Sequence, residues 1–122
     1  MRTIVKSRGG ARWAYAHRVL VVNRFRASSD EAAFRADLER ALAVLSGREG
    51  CEDGRLGRNV DDPALWVMVT RWRDVGSYRR ARSSYEVKMN AVQTLSRAIE
   101  EPSAFEPVEP GGTLNEPDVR SL

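Results

Sequence analysis

The sequence predicts a single α+β domain with one antiparallel sheet whose helices lie on one face. Its 122 residues are the length of one domain rather than two. Residues 18–26 and 64–72 are rich in β-branched and aromatic side chains and are typical of strands. Each of these two runs is followed by apolar residues at helical spacing, which predicts a helix after each strand.

The first helix has sequence signals at both ends. Ser28 and Glu31 have the spacing of a capping box, in which each side chain binds a free amide of the first turn. Gly47 is a typical helix end. The residues between them predict one apolar stripe, formed by Phe34, Leu38, Ala41, Leu42 and Leu45.

The second half of the chain predicts two more strands and two helical segments. A short or bulged strand is expected near 55–60, among glycines. After the strand at 64–72, Asp74 is expected to cap a short helix. Ser83 and Glu86 have the spacing of a second capping box, and residues 103–108 are expected to form an edge strand. The longer helix between them has a stripe of Val87, Ala91, Leu95 and Ile99.

The resulting order, β-α-β-β-α-β, is the split βαβ arrangement of ferredoxin-like sandwiches. We expect the domain to span residues 18–109, with an N-terminal arm at 1–17 and a flexible tail at 110–122. The single cysteine allows no intrachain disulfide, and no apolar run is long enough for a membrane span. Together with the absence of a signal-peptide core, these features predict a cytoplasmic protein without a membrane partner.

The net charge of +3 arises from interleaved arginines and acids. A stripe of arginines is compatible with phosphate binding, but no DNA- or RNA-binding motif accompanies it, so we expect no nucleic-acid partner. His17 is the only histidine, so the sequence has few side chains that could form a His-based metal site or a Ser-His triad. Cys51 has no obvious base nearby and is interpreted as a small filler. We therefore expect neither a metal nor another cofactor.

Both faces of the predicted sheet are apolar. Leu20 and Val22 share one face of the first strand, opposite Val19, Val21 and Phe25, and the third strand repeats this pattern. One layer of helices covers only one face, and an exposed apolar face of this size is unfavourable. We expect a homodimer in which two copies bury the second face against each other. The alternative is a monomer whose arm and tail cover that face.

Asn23 interrupts the apolar side of the first strand. A buried amide without a hydrogen bond costs about 1–3 kcal/mol, so Asn23 needs a partner. That partner is either another group of the protein or a polar ligand in an otherwise apolar pocket. Strand alternation predicts that further side chains line such a pocket: Phe25, Trp66, Met68, Thr70 and Trp72, with Tyr78 one turn later. An aromatic core layer is the competing interpretation of the tryptophans.

Four segments in this order carry a family resemblance: VVNRF at 21–25, GRLGR at 54–58, VMVTRWRDVGSYRRA at 67–81 and FEPV at 105–108. The chain resembles the antibiotic biosynthesis monooxygenase family of dimeric α/β barrels, and within it the cofactor-free anthrone oxygenases. The resemblance implies catalytic roles for Asn23 and Trp72 and a weaker match for Tyr78. Those oxygenases tend to have Asn four residues before the Trp, where this chain has Met68.

The resemblance implies a cofactor-independent monooxygenase that oxidises an anthrone- or phenol-like polycyclic substrate with O₂ in secondary metabolism. Asn23 would bind the carbonyl or enolate oxygen, and Trp72 would pack on the ring or donate its indole N–H. One alternative is a non-catalytic small-ligand-binding or stress-type protein of the same fold. Another is a haem-degrading member of the family. For that alternative, residues 77–93 lack the Trp and the His that such members carry.

Overall fold

The computed structural model describes residues 18–114, so the predicted arm at 1–17, His17 and residues 115–122 lie outside the described residues. Four strands form one antiparallel sheet in the order β2-β3-β1-β4. They are β1 (Val19–Arg26), β2 (Cys51–Arg58), β3 (Leu65–Trp72) and β4 (Ala104–Phe105). The helices are α1 (Glu31–Ser46), α2 (Val75–Arg82), α3 (Tyr85–Asn90) and α4 (Val92–Leu95). None of these helices is long and apolar enough to cross a membrane.

The predicted α+β class and the ferredoxin-like order of elements are confirmed. Eight cross-strand pairs join β1 to β3 at the centre of the sheet, from Val19 opposite Trp72 to Arg26 opposite Leu65. The core lies between one face of these two strands and the helices. Its largest fully buried side chains are Trp72, Phe25, Phe34, Leu38, Met68, Val21 and Val87.

Both predicted capping boxes are wrong in detail. The N-cap of α1 is Asp30, whose carboxylate accepts the amide of Ala33 at 3.1 Å, while the Ser28 hydroxyl contacts the Asp30 carbonyl. The N-cap of α3 is Ser84, and Ser83 is instead the C-cap of α2. Asp and Ser are equally good caps, so the backbone path decides which neighbouring polar residue serves.

The predicted long helix after residue 84 is divided in two. Ala91 has φ −134°, which is not helical, and it separates α3 from α4. Val87 and Ala91 are buried as the predicted stripe requires, whereas Leu95 is half-buried and Thr94 is buried. Thr94 and Leu95 thus both lie on the side of the segment that faces the core.

The outer strands also differ in length from the prediction. β2 extends from Cys51, with a register irregularity between Cys51 and Asp53, and is longer than the segment expected at 55–60. β4 contains only two residues. The segment that precedes β4 is hydrogen-bonded to β1 at two places. The Ile99 amide donates to the Arg24 carbonyl and the Val22 amide donates to the Ser103 carbonyl, each at 2.7 Å.

Gly50 allows the start of β2 to lie against α2. Its φ is +94°, a conformation that favours glycine. A Cβ at this position would lie 2.3 Å from the Cβ of Ser77, which is buried in α2. The Gly50 carbonyl also accepts the amide of Arg73 at 2.7 Å. These contacts fix the position of the helix that carries Tyr78.

We predict that Gly50→Ala lowers the free energy of unfolding by about 2–4 kcal/mol, because backbone strain adds to overpacking. Gly111→Ala is the matched control: its φ is +74°, but nothing lies within 4 Å of the added Cβ. The control should therefore show only the backbone strain, about 1 kcal/mol. Urea unfolding measures both values, and equal losses would contradict the close Gly50–Ser77 contact.

Candidate active site

The residues predicted to line a pocket share the helix-covered face of the sheet, except for Tyr78, which lies on α2. Strand alternation places Asn23 on this face between Val21 and Phe25, which are both buried. The register then sets the residues of β3 opposite them. The cross-strand pairs on this face are Val19–Trp72, Val21–Thr70, Asn23–Met68 and Phe25–Trp66.

The side chain of Asn23 is half-buried and makes no hydrogen bond with any residue between 18 and 114. Its cross-strand neighbour is the thioether of Met68, which is 1% exposed and offers only a weak acceptor. An internally paired core amide would need a partner, and the described residues provide none for Asn23. The amide keeps its two donors and its acceptor available to a ligand or to water.

Trp72 is fully buried, and its indole is already hydrogen-bonded within the protein. Nε1 donates to the Thr70 hydroxyl oxygen at 2.8 Å. The expectation that this N–H is offered to a substrate therefore does not hold in this structure, because a buried hydroxyl two residues away accepts it. The Trp72 ring packs against Tyr78, with the centroids 5.6 Å apart and the planes inclined at 54°. Tyr78 is half-buried, so it is the more accessible member of the pair.

Asn23 and Trp72 lie on one face but are not neighbours. Asn23 lies four positions along β1 from Val19, the cross-strand partner of Trp72. At about 3.3 Å per residue, this separation is about 13 Å along the sheet. The buried pair of Val21 and Thr70 lies between them. A ligand that contacts both residues must therefore be elongated.

A second aromatic group lies on the other side of Asn23. The ring of Phe34 contacts Phe25 and Trp66 edge-on, at centroid distances of 6.3 and 5.7 Å. The guanidinium of Arg58 lies 5.8 Å from the centre of the Trp66 ring. We call Phe25, Phe34 and Trp66 the aromatic cluster. Asn23 thus stands between this cluster and the Trp72–Tyr78 pair.

Sequence reasoning missed three arginines that lie over these rings, Arg58, Arg82 and Arg97, the last of which lies 5.8 Å from the ring centre of Phe34. Arg82 lies 5.7 Å from the ring centre of Tyr78 and follows it by four residues in the helical segment, a spacing that predicts such a contact. Arg58 is the cross-strand partner of Trp66. No local spacing indicates that contact, because it depends on the register between β2 and β3.

Tyr78 owes its position to the cap of α2, as predicted. The Asp74 carboxylate accepts the amide of Ser77 at 2.7 Å, and this hydrogen bond holds the pKa of Asp74 below its usual value. The Ser77 hydroxyl accepts N–H groups from Arg73 and Arg80, at 3.1 and 3.2 Å. The first turn of α2 is thereby fixed immediately before Tyr78.

Cys51 has the environment of a structural residue. Its Sγ lies 3.6 Å from the Asp53 carbonyl, and partial burial raises the pKa of the thiol. A raised pKa disfavours the thiolate, which is the nucleophilic form. Between residues 18 and 114, no three His, Cys, Asp or Glu side chains come together as a set of metal ligands.

The fold and these residues agree with a known family. The family model described as antibiotic biosynthesis monooxygenase matches residues 18–90, and the chain belongs to that family. The match contains all of the candidate site residues named above. It ends at the last residue of α3 and therefore leaves out α4 and β4.

Three solved structures illustrate the similarity. SnoaB from Streptomyces nogalater, a cofactor-independent oxygenase, is 24% identical, with a TM-score of 0.68 over 78% of this chain and 97% of its own. A conserved protein from Methanosarcina mazei Go1 is 17% identical, with a TM-score of 0.63 over 77% and 96% of the two chains. Rv0793 from Mycobacterium tuberculosis is 22% identical, with a TM-score of 0.62 over 76% and 97%. No curated protein sequence matches the chain.

The internal bond of Trp72 can be tested by a double-mutant cycle with Trp72→Phe, Thr70→Val and both changes together. Each single variant removes the same buried hydrogen bond, so their effects on stability should not add. We expect a coupling energy of about 1 kcal/mol from urea unfolding. Additive effects would show that the indole and the hydroxyl do not interact.

Proposed function

We propose that this protein is a cofactor-independent monooxygenase that oxidises an anthrone- or phenol-like polycyclic substrate with O₂. The observation that carries the proposal is the Asn23 amide, which has no partner among the described residues and lies between two groups of aromatic side chains. A few polar groups in an aromatic surrounding are typical of sites for planar ligands. Membership of a monooxygenase family supports the reaction class.

The proposed reaction needs no external reductant, because the substrate supplies the electrons. The CH₂ of the anthrone ring, which is conjugated with the carbonyl opposite it, loses a proton, and the resulting enolate passes one electron to O₂. The two radicals combine into a peroxide anion at that carbon, which takes up a proton to form a hydroperoxide and then loses water to become a carbonyl. One oxygen atom enters the product and the other leaves as water. We assign no residue as the proton acceptor.

In this proposal the Asn23 N–H₂ group donates to the enolate oxygen. A positioned donor of this kind is more effective in a dry site than in water. Trp72 provides a fixed aromatic wall, since its own N–H is held by Thr70. The remaining proposed contacts of the substrate are Phe25, Trp66, Met68 and Tyr78, with Thr70 acting through Trp72.

The proposal is supported by the separation of about 13 Å between Asn23 and Trp72 along the sheet. A fused polycyclic substrate is elongated enough for its oxygen-bearing part to approach Asn23 while its far ring extends toward Trp72. SnoaB, which has the same fold, is a cofactor-independent oxygenase. Fold alone does not distinguish such an enzyme from a non-catalytic binder, so the assignment needs an activity test.

Oxygen uptake with the anthrone dithranol tests the activity, and Asn23→Ala tests the site. We expect the wild-type protein to accelerate uptake above the spontaneous rate. Asn23→Ala should lower kcat/KM about ten- to a hundredfold, the scale of losing one oxyanion donor or less. Its unfolding free energy should change little, because Asn23 gives up no hydrogen bond with the described residues.

Asn90→Ala is the control for this experiment. Its amide lies on an exposed part of α3 and donates to the Glu86 carbonyl. We expect this variant to keep both its stability and its turnover. Loss of stability in Asn23→Ala with unchanged dithranol oxidation would contradict the catalytic role and would favour a structural amide.

We further propose that the protein is a cytoplasmic homodimer. The sheet face opposite the helices carries the half-buried side chains of Leu20, Val22, Leu65, Val67 and Val69. Full burial of a large aliphatic side chain contributes about 1.5–3 kcal/mol, so covering the exposed part of five such residues is worth several kcal/mol per subunit. A second copy related by two-fold symmetry covers this face without any other partner.

Light scattering should return twice the chain mass of 13.7 kDa at micromolar concentration. Val67→Glu, near the middle of the proposed interface, should shift the mass toward the monomer because it places a charge in an apolar contact. Exposed Ala43 on α1 is the control position, where Ala43→Glu should leave the mass unchanged. A monomeric wild-type protein would contradict the interface.

A further inference from the structure

Trp66 has a buried indole N–H for which the described residues provide no acceptor. The residue is 8% exposed, and Nε1 itself is buried without a hydrogen-bond partner. Between residues 18 and 114, only one other buried side-chain nitrogen or oxygen has no hydrogen-bond partner. It is Nε of Arg48, whose guanidinium already binds Glu86 at 3.2 Å. A buried donor without an acceptor is unfavourable, so such a group points to a missing partner.

The two tryptophans of β3 differ in this respect although they lie on the same face. Trp72 donates to Thr70 and has no N–H left for a ligand. Trp66 is separated from Thr70 by Met68 and has no hydroxyl within reach. Of these two indoles, the one with a free donor is therefore the member of the aromatic cluster beside Asn23.

Trp66 also lines an open cavity of about 400 Å³ between the sheet and the first turns of α1. Arg58 and Glu31 line the same cavity, and Arg58 Nη1 lies 3.2 Å from Glu31 Oε2. About half of each of these two side chains is exposed, and exposed ion pairs are weak. The Arg58 guanidinium, which lies over the Trp66 ring, can therefore exchange Glu31 for another anion.

We propose that Trp66 and Arg58 together bind a carboxylate carried by the aromatic substrate, an inference that rests on the proposed function. One carboxylate oxygen accepts the indole N–H, and the other accepts the guanidinium after Arg58 leaves Glu31. An ionised carboxylate is acceptor-only and has two oxygens, which matches two neighbouring groups that only donate. The substrate ring then packs against Trp66, whose cross-strand partner Phe25 lies next to Asn23 on the same face.

The charges around the cavity are balanced when no ligand is bound. Glu39 also lines it, but its carboxylate is bound to Arg35 at 2.9 Å. The two glutamates and two arginines of the cavity balance each other. Recognition of the carboxylate therefore depends on the positions of the two donors and not on a positive field.

Two probes that differ in charge test the inference: anthraquinone-2-carboxylate and the neutral 2-(hydroxymethyl)anthraquinone. Calorimetry near neutral pH gives both dissociation constants. The wild-type protein should bind the carboxylate about tenfold more tightly, the scale of one charge-assisted hydrogen bond. Trp66→Phe, which keeps an aromatic ring, and Arg58→Gln should each reduce this preference to about twofold or less.

Arg40→Gln is the matched control. Arg40 and Arg58 are exposed to similar degrees, 58% and 53%, and each binds one carboxylate at 3.2 Å. Arg40 lies on α1 outside the cavity, so its variant should keep the tenfold preference. If Trp66→Phe does not fold, Arg58→Gln alone decides, because an exposed side chain is not needed for the core.

A preference that persists in Arg58→Gln or in a folded Trp66→Phe would overturn the inference. Equal binding of both probes to the wild-type protein would also overturn it. That second result would leave the proposed function standing if dithranol is still oxidised. Failure of the folded wild-type protein to bind either probe, together with no oxidation of dithranol, would overturn both.

Discussion

The antiparallel register between β1 and β3 is the constraint on which the rest of the site depends. Eight pairs, beginning with Val19 opposite Trp72, decide which side chains share the helix-covered face. A slip of one residue would move Asn23 to the opposite face and remove it from the aromatic side chains. The burial of Phe25 and Trp72 makes such a slip costly, so the residues that stabilise the core also position the amide.

Hydrogen-bond satisfaction distinguishes side chains that otherwise look equivalent. Trp66 and Trp72 have the same residue type, strand and face, but only Trp72 has a hydroxyl two residues away that accepts its N–H. Asn23 and Trp66 are both polar donors without a partner among residues 18–114, and one cross-strand pair separates their positions along the sheet. These two unpaired polar groups therefore lie close together on the helix-covered face.

Much of this arrangement follows from local pattern. Alternation along residues 18–26 and 64–72 places Asn23 on the buried face, because successive side chains of a strand point to opposite sides. The cap at Asp74 also follows from local sequence, since a carboxylate before a helical run binds the amides of its first turn. The contact of Arg82 with Tyr78 is available from helical spacing alone. Each of these features depends on residues that are close together in the sequence.

The tertiary structure decided the contacts and hydrogen bonds that form between different strands and helices. The sequence left open whether Trp72 packs on a substrate ring or donates its N–H, and in the structure the indole N–H donates to Thr70. Arg58 reaches Trp66 only through the β2–β3 register, and the non-helical backbone at Ala91 divides the helix that the sequence predicts as continuous. Sequence determined which residues share a face, since backbone periodicity is local. Tertiary structure decided which donors remain unpaired. A donor finds an acceptor only where the packing of the whole chain brings the two groups within hydrogen-bond distance.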